Sequence, residues 1–270
     1  MVLRTTLAVA VLFGGLSGFV GADDGGAGDV AHVLAPGGRL RAAINFGNPV
    51  LAQRDAASGA PRGVSVDLAR ELGRRLGVPV DFVTFDAAGK VTDALKTDAW
   101  DVAFLARDPT RAESIAFSPP YVIIEGTYLV RDSAPFRAIE DLDRDGVRVA
   151  VARGSAYDLF LTRALKHAQL VRFASGVEAT AAFGAGGDLD AAAGVTQSLA
   201  AFALTRRDVR LIPGRFMTIE QAVAIPSTRA AAAPYVRSFV EEMKRTGFVA
   251  KALAASGQTD AAVAPPAPTP

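Results

Sequence analysis

Apolar positions recur along this chain with two periods, and the order in which those periods alternate predicts an α/β fold. Val64, Leu68, Leu72 and Leu76 repeat every four residues while Arg70, Glu71, Arg74 and Arg75 occupy the other faces. That is one turn of an amphipathic helix repeated over Val64 to Gly77, with Gly77 as its stop and Pro79 beyond it. Short apolar runs bounded by breakers predict strands at Arg39 to Ile44, Val80 to Phe85 and Asp101 to Ala106, with a second helix at Ala87 to Thr97. A β-α-β-α-β order implies a parallel sheet with right-handed crossovers. After it come a polar turn carrying Arg107, Asp108 and Arg111, a short strand through Phe117, a double-proline corner and a long apolar strand from Val122 to Val130.

The alternation then restarts. Val147 to Ala152 reads as a strand, Ser155 caps a helix from Ala156 to about Lys166, and Gln169 to Phe173 is the next strand. A helix over Val177 to Phe183 and an apolar strand, Asp190 to Val195, complete a second, smaller unit inserted in the first. A strand at Thr218 to Ile225 carries the chain back, and a helix over Pro234 to Thr246 turns Val236, Phe239, Val240 and Met243 towards the first unit. Two crossings of this kind make a hinge.

The predicted order places Arg107, Asp108 and Arg111 at the carboxyl end of a parallel strand, where loops of open α/β sheets converge on ligands. Arg111 there is either a solvated turn residue or an anion clamp, its planar fork gripping a carboxylate through two hydrogen bonds. Asp101, Val102, Ala106, Arg111, Phe117, Ser118, Pro120 and Tyr121 together form a run D-V-x-x-x-A, a turn ending in Arg, and F-S-x-P-Y six residues later. This run resembles the cleft segment of the extracytoplasmic solute-binding proteins, family 3, of amino-acid-type ABC importers. GVSVDLARELGRRLG resembles the first-helix signature of the same family.

The resemblance covers Gly38 to Ser256 and implies a two-lobe periplasmic binding protein fold of type 2. Each lobe would be a mixed, mainly parallel sheet with flanking helices, the lobes joined by two hinge strands. Expected boundaries are 38–126 with 222–256 for lobe 1 and 127–221 for lobe 2. By the resemblance Arg111 holds a ligand carboxylate, Gly154, Ser155 and Ala156 close on its far side, and Asn45, Phe46 and Ala106 face it, with Phe46 and Tyr121 as walls. The helix start at Gly154 to Ala156 independently offers N–H groups to a negative group, or is an ordinary cap.

One position departs from that pattern. Relatives that bind α-amino acids commonly place an acid at the slot of Val195, and an apolar side chain cannot balance a buried ammonium. Either Glu125, Glu220 or Asp108 substitutes, or the ligand carries no α-amino group. Glu125 and Glu220 each interrupt an apolar strand and either line the cleft together or face solvent. Thr196 and Gln197 could add neutral hydrogen bonds. The turn before Arg111 is also shorter than the family's usual form, with Arg107 and Asp108 in place of hydroxyls.

Composition removes alternatives more than it adds. The 270 residues are half apolar with a formal charge of +1, and 29 scattered basic residues against 28 acids give no nucleic-acid footprint. The absence of cysteine excludes disulfides, thiolate chemistry and a Cys-anchored lipid. Residues 1–22 read as a secretory signal peptide, or alternatively a membrane anchor, and predict a periplasmic protein. Residues 23–37 read as a flexible lead-in and 257–270 as a disordered Pro/Ala-rich tail. His32 and His167 lack a second ligand at helical spacing, and Ser118 and Ser155 lack a nearby His. Neither a metal, a cofactor nor a catalytic residue is expected. The expected role is capture of an amino acid or related small carboxylate by a monomer that delivers it to an inner-membrane ABC permease. The alternatives are a dehydratase of the cyclohexadienyl type, with Glu125 or Glu220 as acid, and a ligand-reading partner of a membrane sensor or oxidoreductase.

Overall fold

The computed structural model describes residues 25–268, so the signal-peptide expectation lies outside the described residues. Helix α1 (Gly25–Leu34) leads into strand β1 (Leu40–Asn45), a small hairpin of β2 (Gln53–Arg54) and β3 (Pro61–Arg62), and helix α2 (Val64–Leu76). Strand β4 (Val80–Phe85), helix α3 (Ala88–Ala94), strand β5 (Val102–Ala106), the one-turn helix α4 (Pro109–Ala112) and strand β6 (Ile115–Arg131) follow. Then come β7 (Arg148–Ala152), α5 (Ala156–Ala164), β8 (Gln169–Phe173), α6 (Gly176–Gly184), β9 (Ala191–Val195) and α7 (Thr196–Ala203). The chain closes with β10 (Val209–Leu211), β11 (Met217–Pro226), α8 (Ala233–Arg245), α9 (Phe248–Ala255) and β12 (Ala262–Val263).

The strands are ordered β4-β1-β5-β11-β6-β9-β7-β8. At one end β4, β1 and β5 run parallel, and at the other β9, β7 and β8 do. Between them lie β11 and β6, antiparallel to each other and to their neighbours β5 and β9. Each end has its own core. Leu68, Leu72, Ile44, Tyr121 and Phe239 belong to the first, and Tyr128, Val149, Val151 and Leu161 to the second. The periodicity that predicts α2 is the reason it docks: Leu68 and Leu72 are fully buried, and Gly77 takes the left-handed backbone that ends the helix.

Three expectations are corrected. The corner at Pro119-Pro120 does not divide two strands, because β6 runs unbroken for 17 residues. The prolines cannot donate to the ladder, and β11 bulges beside them, on both sides of Ala222. The Ser118 hydroxyl accepts the Val223 N–H at 3.0 Å and donates to the Pro119 carbonyl, so the displaced backbone group stays paired.

The lead-in is not flexible from residue 25 onward. It forms α1, and Leu34 is fully buried against the first core. The tail is likewise ordered where described: Ala262 and Val263 pair with Ile123 and Val122 of β6, and Ala264 N–H donates to the Tyr121 carbonyl. Lys244 and Arg237 of α8 donate to the carbonyls of Pro265 and Pro268. An Ala- and Pro-rich composition reads as disorder only when no partner surface is known, and here the free edge of β6 supplies one.

Candidate functional site

The loop after β5 positions the central side chain. Asp108 caps α4 by accepting the Thr110 N–H at 2.9 Å, Pro109 sets the first turn, and Arg111 follows in the last turn. The Arg111 side chain reaches back to the end of β5 and is only 2% exposed. Its Nη1 donates to the Ala106 carbonyl at 2.9 Å and its Nη2 to the Gly154 carbonyl at 2.8 Å, so one guanidinium spans both lobes. Its buried Nε has no protein partner. Burial, only partly offset by Asp108, pulls this guanidinium down to about 10, which marks a charge lacking full compensation.

Arg111 lines a cavity of about 50 Å³ between the lobes. Asn45, Asn48, Phe104, Leu105 and Ala106 face it from the first lobe, with Ile219 and Gln221 from β11. Ala152, Ser155, Ala156, Tyr157 and Val195 face it from the second. Asn48 is buried and its Oδ1 has no partner. The Tyr157 phenol is pushed up to about 12 by burial, so it remains a neutral donor at ordinary pH.

Of the residues expected at the ligand, Arg111, Ala106, Asn45, Ser155, Ala156 and Val195 come together around this cavity. Gly154 takes part differently from expectation. Its N–H is taken by Asp158 Oδ2 at 2.8 Å and that of Ser155 by the Ala152 carbonyl, so Gly154 offers Arg111 a carbonyl rather than offering an anion a donor. Ser155 Oγ accepts the Asp158 N–H at 3.0 Å and is the helix cap.

The remaining expectations are corrected. Phe46 packs on the first core with Arg54 stacked 4.2 Å above its ring, away from the cavity. Tyr121 is fully buried behind it, its hydroxyl 3.1 Å from Ser65 Oγ and its ring edge-on to Phe104. Phe104 and Tyr157 are the aromatic walls instead. Glu125 pairs with Arg215 and Glu220 with Arg107, each at 2.8 Å, and both carboxylates are nearly half exposed. Asp108 pairs with Arg163 of α5 at 2.7 Å. Thr196 donates to the Glu125 carbonyl and lies outside the lining. Of the two alternatives open for the glutamates, the structure takes the solvent-facing one, and for Glu220 strand alternation is the reason: Ile219 and Gln221 face the cavity, so Glu220 between them points the other way. The buried amide Gln221 in an otherwise apolar run was the signal that could have found this face.

Among the described residues, no group of three or more His, Cys, Asp or Glu side chains converges as a metal site. The lobes meet closely at one further point. A Cβ on Gly89 of α3 would lie 2.5 Å from the Arg153 carbonyl, and one on Gly154 would lie 2.9 Å from the Gly89 Cα.

Two α/β lobes on shared central strands, with a buried guanidinium and a small cavity between them, define a two-lobe binding protein of the type 2 periplasmic class. The sequence pattern of the bacterial extracellular solute-binding proteins, family 3, matches residues 40–256, and the chain belongs to that family. No curated protein matches the sequence. Among solved structures, holo ArgBP from T. maritima shares 25% identity at a TM-score of 0.68, over 81% of this chain and 96% of its own. The cysteine-binding protein from Campylobacter jejuni has a TM-score of 0.71 at 19% identity, covering 85% and 92%. AncCDT-1, described as an ancestral amino acid-binding protein and a precursor of cyclohexadienyl dehydratase, has a TM-score of 0.70 at 24% identity, covering 84% and 98%.

Proposed function

We propose that this chain is an exported receptor that captures a small carboxylate by closing its two lobes on Arg111, and that it delivers the ligand to an ABC permease. The observation that carries the reading is the Arg111 guanidinium, buried between the lobes with its Nε unpaired beside the cavity. A charge kept there without an anion is unfavourable, and a carboxylate accepting from it removes the penalty. Membership of a family of extracellular solute-binding proteins supports export and transport. Binding is favoured over dehydration because the glutamates that could protonate a leaving group sit in half-exposed ion pairs outside the cavity.

Isothermal titration of the mature protein against a panel of small carboxylates tests this. At least one should bind with micromolar or tighter affinity, and Arg111→Ala should abolish it while leaving the far-ultraviolet circular dichroism unchanged. Binding that survives Arg111→Ala would remove the guanidinium from the site, and turnover of the ligand in the same mixture would reinstate the enzyme reading.

A further inference from the structure

The side chains around the cavity are asymmetric in charge. Arg111 is buried and positive, whereas among the described residues lining the cavity the only acidic one is Asp86. Its carboxylate is mostly exposed at the mouth and pairs with Lys90 at 2.8 Å. Glu125, Glu220 and Asp108 are each held by an arginine outside the lining. Val195, at the end of β9, presents an apolar group with 8% exposure. An ammonium brought into this space would meet one like charge and no buried carboxylate, which is strongly unfavourable. A hydroxyl or carbonyl in the same place needs only neutral partners. Asn48 Oδ1 is a buried acceptor without a partner, and Tyr157 is a neutral donor on the opposite wall.

We infer that the ligand is a small monocarboxylate bearing a hydroxyl or oxo group where an amino acid bears its ammonium. This rests on the carboxylate-receptor reading above and narrows it. Arg111 Nε and the carboxylate supply the charged contact, and Asn48 Oδ1 accepts from a 2-hydroxyl. Size agrees: a volume of about 50 Å³ accommodates roughly three to five water-sized probes, hence a ligand of only a few non-hydrogen atoms.

Matched pairs test the inference directly. Glycolate, L-lactate and pyruvate are titrated by calorimetry against glycine and L-alanine, which share their carbon skeletons and differ in the group beside the carboxylate. The expected result is that at least one hydroxy or oxo acid binds on the order of 100-fold tighter than its amino counterpart, the scale of rejecting an unpaired buried charge. Equal or tighter binding of the amino acid, lost in Arg111→Ala, would overturn the inference and leave the carboxylate receptor standing. Silence from both series and from wider panels of acids would bring down the receptor reading itself. Val195→Asp gives a second measurement: a carboxylate in the cavity should weaken the hydroxy or oxo acid and improve the amino acid. A variant that folds, by circular dichroism, and leaves that ratio unmoved would also count against the inference.

Discussion

The two walls of the cavity are built from opposite resources. The first lobe, with β11, presents an arginine and three amides: Asn45 at the end of β1, Asn48 in the loop that follows, and Gln221 within β11. The second presents Ala152, Ala156 and Val195 with the single phenol of Tyr157, while Ser155 is already committed to capping α5. On the proposed function, the charged and amide contacts to a ligand lie on one side, and the other side would serve mainly as a lid. The ties between them run the same way: Arg111 reaches out to the Gly154 carbonyl, and Asp108 to Arg163. A lid held by a backbone carbonyl needs little side-chain chemistry of its own, which fits hinge closure driven from the charged lobe.

Several measurements would break or sharpen that division. Arg111→Ala has the largest expected effect, because truncating a buried charged partner costs about 2–5 kcal/mol of affinity. Titration calorimetry reads it, and a loss under tenfold would return recognition to the lid. Truncation after Ser256 removes β12 and the burial of Ala264, and should lower stability by about 1–2 kcal/mol. For a chain of this size that is a fall in Tm on the order of 3–6 °C, with affinity changed less than about twofold. A large affinity change would instead make the tail part of the hinge.

Gly89→Ala places a Cβ against the Arg153 carbonyl. Disfavouring the closed arrangement should weaken binding on the order of tenfold through the fraction of competent protein. Small-angle scattering should show a larger radius of gyration with ligand present, and an unchanged radius would mean that the lobes close without this contact. Asp108→Asn keeps an adequate cap but loses the charge facing Arg163. Its expected effect is about 0.5–1 kcal/mol, seen as a few-fold faster ligand release in stopped flow. Glu220→Gln is smallest. An exposed pair with Arg107 should change stability by less than about 0.5 kcal/mol and binding not at all, and any larger loss of binding would place Glu220 functionally in the cavity.

The legible and illegible parts of this molecule divide by physical cause. Helix α2 could be read because one face of it is apolar at the helical period, and β4 matches its predicted limits because Pro79 and Asp86 bound it. A strand end and a turn placed Arg107, Asp108 and Arg111 together, and only the resemblance to the family pattern selected Arg111 among them. Phe46 and Tyr121 were misplaced because an aromatic near a cleft and an aromatic in the core beneath it have the same local sequence. Their separation is set by Arg54 and Ser65, which approach from the β2–β3 hairpin and from α2.

What the amino-acid order determined by itself was the alternation of elements, the family pattern over most of the chain, and the lack of an acid at Val195. Each is a local or periodic property, written in neighbouring residues. Only the tertiary structure decided which way Glu125, Glu220 and Asp108 point, that Gly154 contributes a carbonyl, and that the Pro/Ala-rich tail covers the edge of β6. Those outcomes depend on partners more than 25 residues away in the chain or on strand register, and a one-residue change of register exchanges the cavity face for the solvent face.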